Sequence, residues 1–151
     1  SLGLMYKGGG LKAGLGYEEL DNQAGGFGPA AANVDREMWQ LGASYSFGMF
    51  QVGAHYESTD NAGFVSGSEY TAWALTGKAK FGNSAVSLVY TDSETENGAG
   101  ATTSDTYGWG LAGEHNLSKR TKVYAAYATA DEDVAPSSAT HRVSLGVIHD
   151  F

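Results

Sequence analysis

Four histidines, His55, His115, His141 and His149, are the side chains here best suited to acid–base or metal chemistry. Their spacing supports neither. They lack a metal-ligand interval and alternate between strand faces. The absence of cysteine removes thiolate zinc sites and disulfides. A serine hydrolase would need Ser, His and an acid converging on one face near a rim. No motif links the serines and acids to His55. The expectation is a protein that is not an enzyme, with no metal and no cofactor.

Two groups of charges remain. Asp131-Glu132-Asp133 gathers carboxylates in a stretch read as an outer loop. Such oxygens can bridge Ca²⁺ or Mg²⁺ to anionic lipid headgroups, or they can simply be a solvated loop. Lys12, Lys78, Lys80, Lys122 and Arg142 fall at strand positions of one face. Cations along a watery passage select ions by electrostatics. They can equally serve to wet that face and pair with Glu57 and Glu114. The nine Lys and Arg form no basic block, and the net charge is −8, so no nucleic-acid partner is expected.

The elements that must carry these residues have a period of two. In Met38–Phe47 the odd positions Trp39, Leu41, Ala43, Tyr45 and Phe47 are apolar, while the even ones are small or polar. The same alternation runs through Leu2–Tyr6, Leu11–Glu18, Phe50–Glu57, Trp73–Phe81, Val86–Thr91, Tyr107–Leu117, Val123–Ala128 and the C-terminal VSLGVIHDF. Tight connections are expected at Gly8–Gly10, Gly48–Met49, Gly82–Ser84 and Ser118–Arg120. Long ones are expected over 21–35, 60–69, 93–104 and 131–140. The acids of Asp92–Glu96 and those near Asp60 and Glu69 then look like loop residues. GGFGPAAAN, near 25–33, reads as a plain surface loop or a latch to a neighbouring subunit. The 22 glycines argue against helices. No stretch reaches the roughly 18 consecutive apolar residues of a membrane helix, and mean hydropathy is only −0.28. The expected fold is an all-β, antiparallel up-and-down meander of about eight to nine strands in one domain over 1–151.

The apolar face carries aromatics in bands. Tyr17, Trp39, Tyr56, Trp73, Tyr90, Trp109 and Tyr127 sit at the long-connection end; Phe47, Phe50, Phe81 and Phe151 sit at the other. Rings of this kind collect at the two interfaces of a bilayer. The opposite face carries Lys12, Glu18, Gln40, Gln51, His55, Glu57, Lys78, Lys80, Glu114, Lys122 and Arg142, too polar for a dry core. The expectation is a transmembrane β-barrel, apolar outside and polar inside, with these eleven residues facing its lumen. Every backbone group is then paired around a closed sheet.

LSKRT (Leu117–Thr121), followed by Val123 and YAAYA, resembles the general trimeric porins of Gram-negative bacteria, the beta-proteobacterial type above all. So does the C-terminal strand, with Val143, Leu145, Val147 and a terminal Phe151, although His149 departs from its usual pattern. The resemblance implies an outer-membrane channel for passive diffusion of small hydrophilic solutes and ions. It implies a homotrimer in outer-membrane lipid and lipopolysaccharide, and a terminal strand read by the barrel-assembly machinery. That family has about sixteen strands and a constriction loop in its N-terminal half. This chain offers about nine strands and no PEFG-like segment. With the C-terminus periplasmic, the odd count puts Ser1 outside. The expectation is therefore the C-terminal part of a larger barrel. The alternative is a closed eight-stranded barrel from Leu11 to Phe151, with 1–10 as an extension and a structural, adhesive or lipid-binding role.

Overall fold

A computed structural model describes residues 1–21 and 34–150. The described residues form one antiparallel sheet whose nine strands lie side by side in chain order. They are β1 (Leu2–Gly8), β2 (Leu11–Leu20), β3 (Arg36–Phe47), β4 (Phe50–Asp60), β5 (Glu69–Phe81), β6 (Ser84–Glu96), β7 (Thr102–Asn116), β8 (Thr121–Glu132) and β9 (Ser138–His149). A single 3₁₀ turn, Ala62–Phe64, interrupts the β4–β5 connection. Phe151 and the GGFGPAAAN segment lie outside the described residues.

The tight turns fall where glycine allows them. Gly9 and Gly10 both take positive φ, 55° and 84°, as a two-residue hairpin of this twist requires. At the other end the connections are shorter than the sequence suggests. β6 runs on to Glu96 and β7 begins at Thr102, so the expected loop over 93–104 shrinks to 97–101; the one over 131–140 becomes 133–137. Asp92–Glu96, Asp131 and Glu132 are thus strand residues rather than loop residues. Apolar alternation stops at the aromatic band, but the backbone ladder continues past it, because hydrogen bonding does not depend on which solvent the side chains meet.

The sheet is one layer thick, and almost nothing in it is buried. Ala85, at 5% exposure, is the one buried apolar side chain among the described residues. Exposure along β3 alternates residue by residue. The odd, apolar side chains protrude on the convex side, and the polar face forms a concavity lined by residues such as Gln51, Thr76, Lys78 and Ala112. Leu88, on an interior strand, is 52% exposed. A contiguous apolar surface of this extent is foreign to a water-soluble monomer.

The edge strands differ. Leu2 on β1 and Leu145 on β9 are 75% and 76% exposed. Among the described residues β1 pairs with β2 alone and β9 with β8 alone. Leu2–Gly8 is a full partner of β2, from Leu2 opposite Tyr17 to Gly8 opposite Leu11. This corrects the eight-stranded alternative, in which residues 1–10 would lie outside the sheet. Leu2, Leu4 and Tyr6 continue the convex apolar face, Met5 and Lys7 take the concave positions, and their amides extend the same ladder.

Candidate functional site

Register fixes the faces, since a slip of one residue would reverse them. All eleven polar residues singled out in the sequence occupy the concave face. One unbroken cross-strand row there reads Lys12, Ser44, Gly53, Thr76, Val89, Gly110, Ala128, Arg142. Gln40 stands opposite Glu57, and Gln51 opposite Lys78. Glu18 stands opposite Met38, and His55 between Gly42 and Ala74.

Three of these residues meet. Lys78 Nζ on β5 donates to Glu114 Oε1 on β7 at 2.9 Å, and Lys122 Nζ on β8 lies 3.6 Å from Glu114 Oε2. The first pair reaches across all of β6. It can do so because β6 presents only Ala85 and Ser87 there, opposite Lys80 and Lys78. Ala85 is buried in that position. Lys122 on β8 and Arg142 on β9 stand on neighbouring strands, but β6 and β7 separate Lys78 and Lys80 on β5 from them. Glu57, the other expected partner, forms no ion pair among the described residues.

The convex face holds the ten expected aromatics that lie among the described residues, and most of them pair across strands. Ring centroids are 4.5 Å apart for Tyr17–Trp39 and 5.3 Å for both Trp73–Tyr90 and Trp109–Tyr127. Phe47 and Phe50, at the tight-turn end, are 5.7 Å apart. Trp39 to Phe47 and Trp73 to Phe81 each span eight residues, about 26 Å along a strand. Allowing for tilt, this suits the apolar band of an outer-membrane barrel. Three of the four histidines also lie on this face. His115, His149 and His141 share hydrogen bonds through Nδ1 with Ser84 Oγ (2.8 Å), Thr121 Oγ1 (2.8 Å) and Tyr127 Oη (3.0 Å). Only His55 faces the concavity.

A row of carboxylates escaped the sequence reading. Glu19, Glu37, Asp60, Glu69 and Glu96 stand directly opposite one another on five consecutive strands, all on the convex face beyond the Tyr/Trp band. Asp92, Glu94, Asp105 and Asp131 continue it over β6–β8. At its β2–β3 end the carboxylates of Glu19, Asp21 and Asp35 come within 4.8 Å of one another. Like charges facing each other across strands destabilise a sheet, so the row calls for counter-ions. Its signal lay in the register, which no single strand reveals.

A family model described as Gram-negative porin matches residues 1–135. No curated protein sequence matches. Among solved structures, the anion-selective porin from Comamonas acidovorans superposes with a TM-score of 0.78 at 24% identity, over 99% of this chain and 48% of that one. The Vibrio cholerae outer membrane protein OmpT, in a loop L8 deletion mutant, gives 0.76 at 19% identity, over 99% and 51%. A porin refined at 1.8 Å resolution gives 0.71 at 22% identity, over 99% and 50%. The chain thus spans about half the length of the solved structures it matches.

Proposed function

The chain belongs to the Gram-negative porin family, and on that premise we propose that it forms the C-terminal part of the wall of an outer-membrane pore through which small hydrophilic solutes and ions diffuse passively. The carrying observation is the single-layer sheet with a belted apolar convex face and a polar concave one. Lipid covers the first; water fills the second. The eleven polar residues of the concave face are then lumen residues, wetting the passage and setting its local charge. The family assignment supports a channel rather than an enzyme.

Both edge strands call for further strands to close the barrel, because unpaired backbone groups in lipid cost several kcal/mol each. A homotrimer is the assembly the family reading favours. Val143, Leu145, Val147 and Phe151 serve as the terminal signal for the assembly machinery.

The chain contains no cysteine, which makes a direct test simple. Single cysteines at Gln51, Lys78 or Ala112 should react with a charged, membrane-impermeant thiol reagent and change single-channel current in a planar bilayer. Cysteine at Leu88 or Leu111 should not. With the barrel closed by its further strands, a current indifferent to labelling at all five positions, or equally sensitive at Leu88 and Leu111, would overturn the reading.

The carboxylate row fits the lipopolysaccharide leaflet, whose phosphates need divalent cations to approach it. In lipopolysaccharide-containing membranes a chelator should lower Tm. The double change Glu37→Gln and Glu69→Gln should shrink that drop. An unchanged chelator effect in this variant would remove lipopolysaccharide bridging from the proposal.

A further inference from the structure

Of the aromatic residues on the described strands, only Tyr70 and Tyr124 face the concavity. Tyr124 lies near the tight-turn mouth, and its position is built. It stands opposite Gly146 on β9. A Cβ added at Gly146 would come within 2.5 Å of its Cε1 and 2.6 Å of its Cζ and Oη. The ring therefore reclines across the β9 backbone in the space a side chain would fill. One ring face rests on the sheet, the other is open, and the residue is 36% exposed.

On its other side Tyr124 stands opposite Glu114. That carboxylate is already occupied by Lys78 on one oxygen and Lys122 on the other. The two contacts are unequal. Lys78 makes a 2.9 Å hydrogen bond, whereas Lys122 sits at 3.6 Å, a longer contact that engages at most one of its three N–H donors and leaves the others uncommitted. Lys122 is two residues from Tyr124 on the same face of the same strand, about 7 Å away along it. Lys80 adds a further positive charge at the far end of the row through Ala85 and Glu114 and makes no ion pair among the described residues. Three ammonium groups thus face one carboxylate beside an open aromatic plane.

We propose that Tyr124 and Lys122, braced by Glu114 and Lys78, form a binding step for planar aromatic carboxylates at the tight-turn mouth of the lumen. The solute ring stacks on the open face of Tyr124, and its carboxylate takes the uncommitted donors of Lys122. Glu114, held by Lys78, keeps Lys122 beside the ring when the step is empty. This rests on the concave face being the lumen.

The test uses benzoate against cyclohexanecarboxylate, which has the same charge and a similar size but no flat ring. Titrated into the intact protein in detergent micelles and followed by ligand-observed NMR, benzoate should bind more tightly than cyclohexanecarboxylate. Tyr124→Leu should weaken benzoate about two- to tenfold, the range of an aromatic pair, and leave cyclohexanecarboxylate unchanged. Gly146→Ala, which displaces the ring without removing it, should act in the same direction. Lys122→Gln should weaken both acids. Equal affinities for the two acids, or benzoate binding indifferent to both Tyr124→Leu and Lys122→Gln, would overturn the step. Because the titration needs no current, its failure is separable from that of the pore. Thiol labelling that changes current without any preference for benzoate removes this inference and leaves the pore standing.

Discussion

Replacing Leu88 by arginine should destabilise the protein in a bilayer by about 2–4 kcal/mol, the cost of a cation on the lipid face near the midplane. The same change at Val89, one residue along, should cost far less. Leu88 pairs with Gly77, midway between Trp73 and Phe81, and with Leu111. Its side chain is therefore level with the middle of the apolar belt. Val89 pairs with Thr76 and Gly110 on the concave face, where water can solvate a guanidinium. The two positions share strand, depth and backbone geometry, so propensity and local strand strain largely cancel between them. What remains is the difference between lipid and water. Denaturant unfolding from lipid vesicles measures both. Equal losses, or a larger loss at Val89, would mean that the faces are assigned the wrong way round or that the convex face is covered by protein.

That contrast works because the faces were legible in the sequence. A strand with one neighbour on each side has only two environments, and parity alone sorts its residues between them. Trp39 and Gln40 needed no partner to be placed. Strand ends were less legible. Beyond Tyr90 the side chains are Asp92, Glu94 and Glu96, polar on both faces in water, so the alternation that marks β6 vanishes while its ladder continues to Glu96. Turn chemistry closes the strand there instead: Asn97 Oδ1 accepts from the amides of Ala99 and Ala101. The ion-pair cluster was half legible. Glu114 was a reasonable partner for the lysines, but its contact with Lys78 depends on small residues of the strand between them. The reclining Tyr124 depends on a glycine 22 positions away. Such features belong to register, and register is set by turns whose lengths a single sequence gives only loosely.

Glu132 shows how much a register-dependent site can hold. It ends β8, five residues beyond Tyr127 and so outside the membrane-spanning stretch. Its Oε2 accepts from Ser104 Oγ at 2.7 Å and Thr106 Oγ1 at 2.9 Å; its Oε1 accepts from the amides of Asp105 at 2.8 Å and Val134 at 3.1 Å. Four donors converge on one carboxylate, tying the β8–β9 connection to the start of β7. The Asp105 amide, followed by the Ser104 and Thr106 hydroxyls and, last, the Val134 amide, holds the Glu132 carboxyl down at about 2, with desolvation opposing them. Its neighbour Asp105 moves the other way, raised by burial and by Asp92, Glu94, Asp133 and Glu132. A depressed carboxyl stabilises the fold fully above its ordinary value of 4.5, and that contribution is lost as pH falls from there towards 2. The connection should therefore stay pinned at neutral pH and loosen progressively in acid. In an NMR titration of the protein in micelles, the Glu132 carboxyl carbon should move with a midpoint near 2, and the amide shifts of Asp105 and Val134 should share a component with that midpoint. Glu132→Gln, which replaces one accepting oxygen by a donor, should abolish that shared titration and raise amide exchange at both positions at pH 7. A midpoint near 4.5 at the Glu132 carboxyl carbon would mean that the four donors do not hold the anion. Unchanged exchange in Glu132→Gln would mean that the connection is pinned by something else.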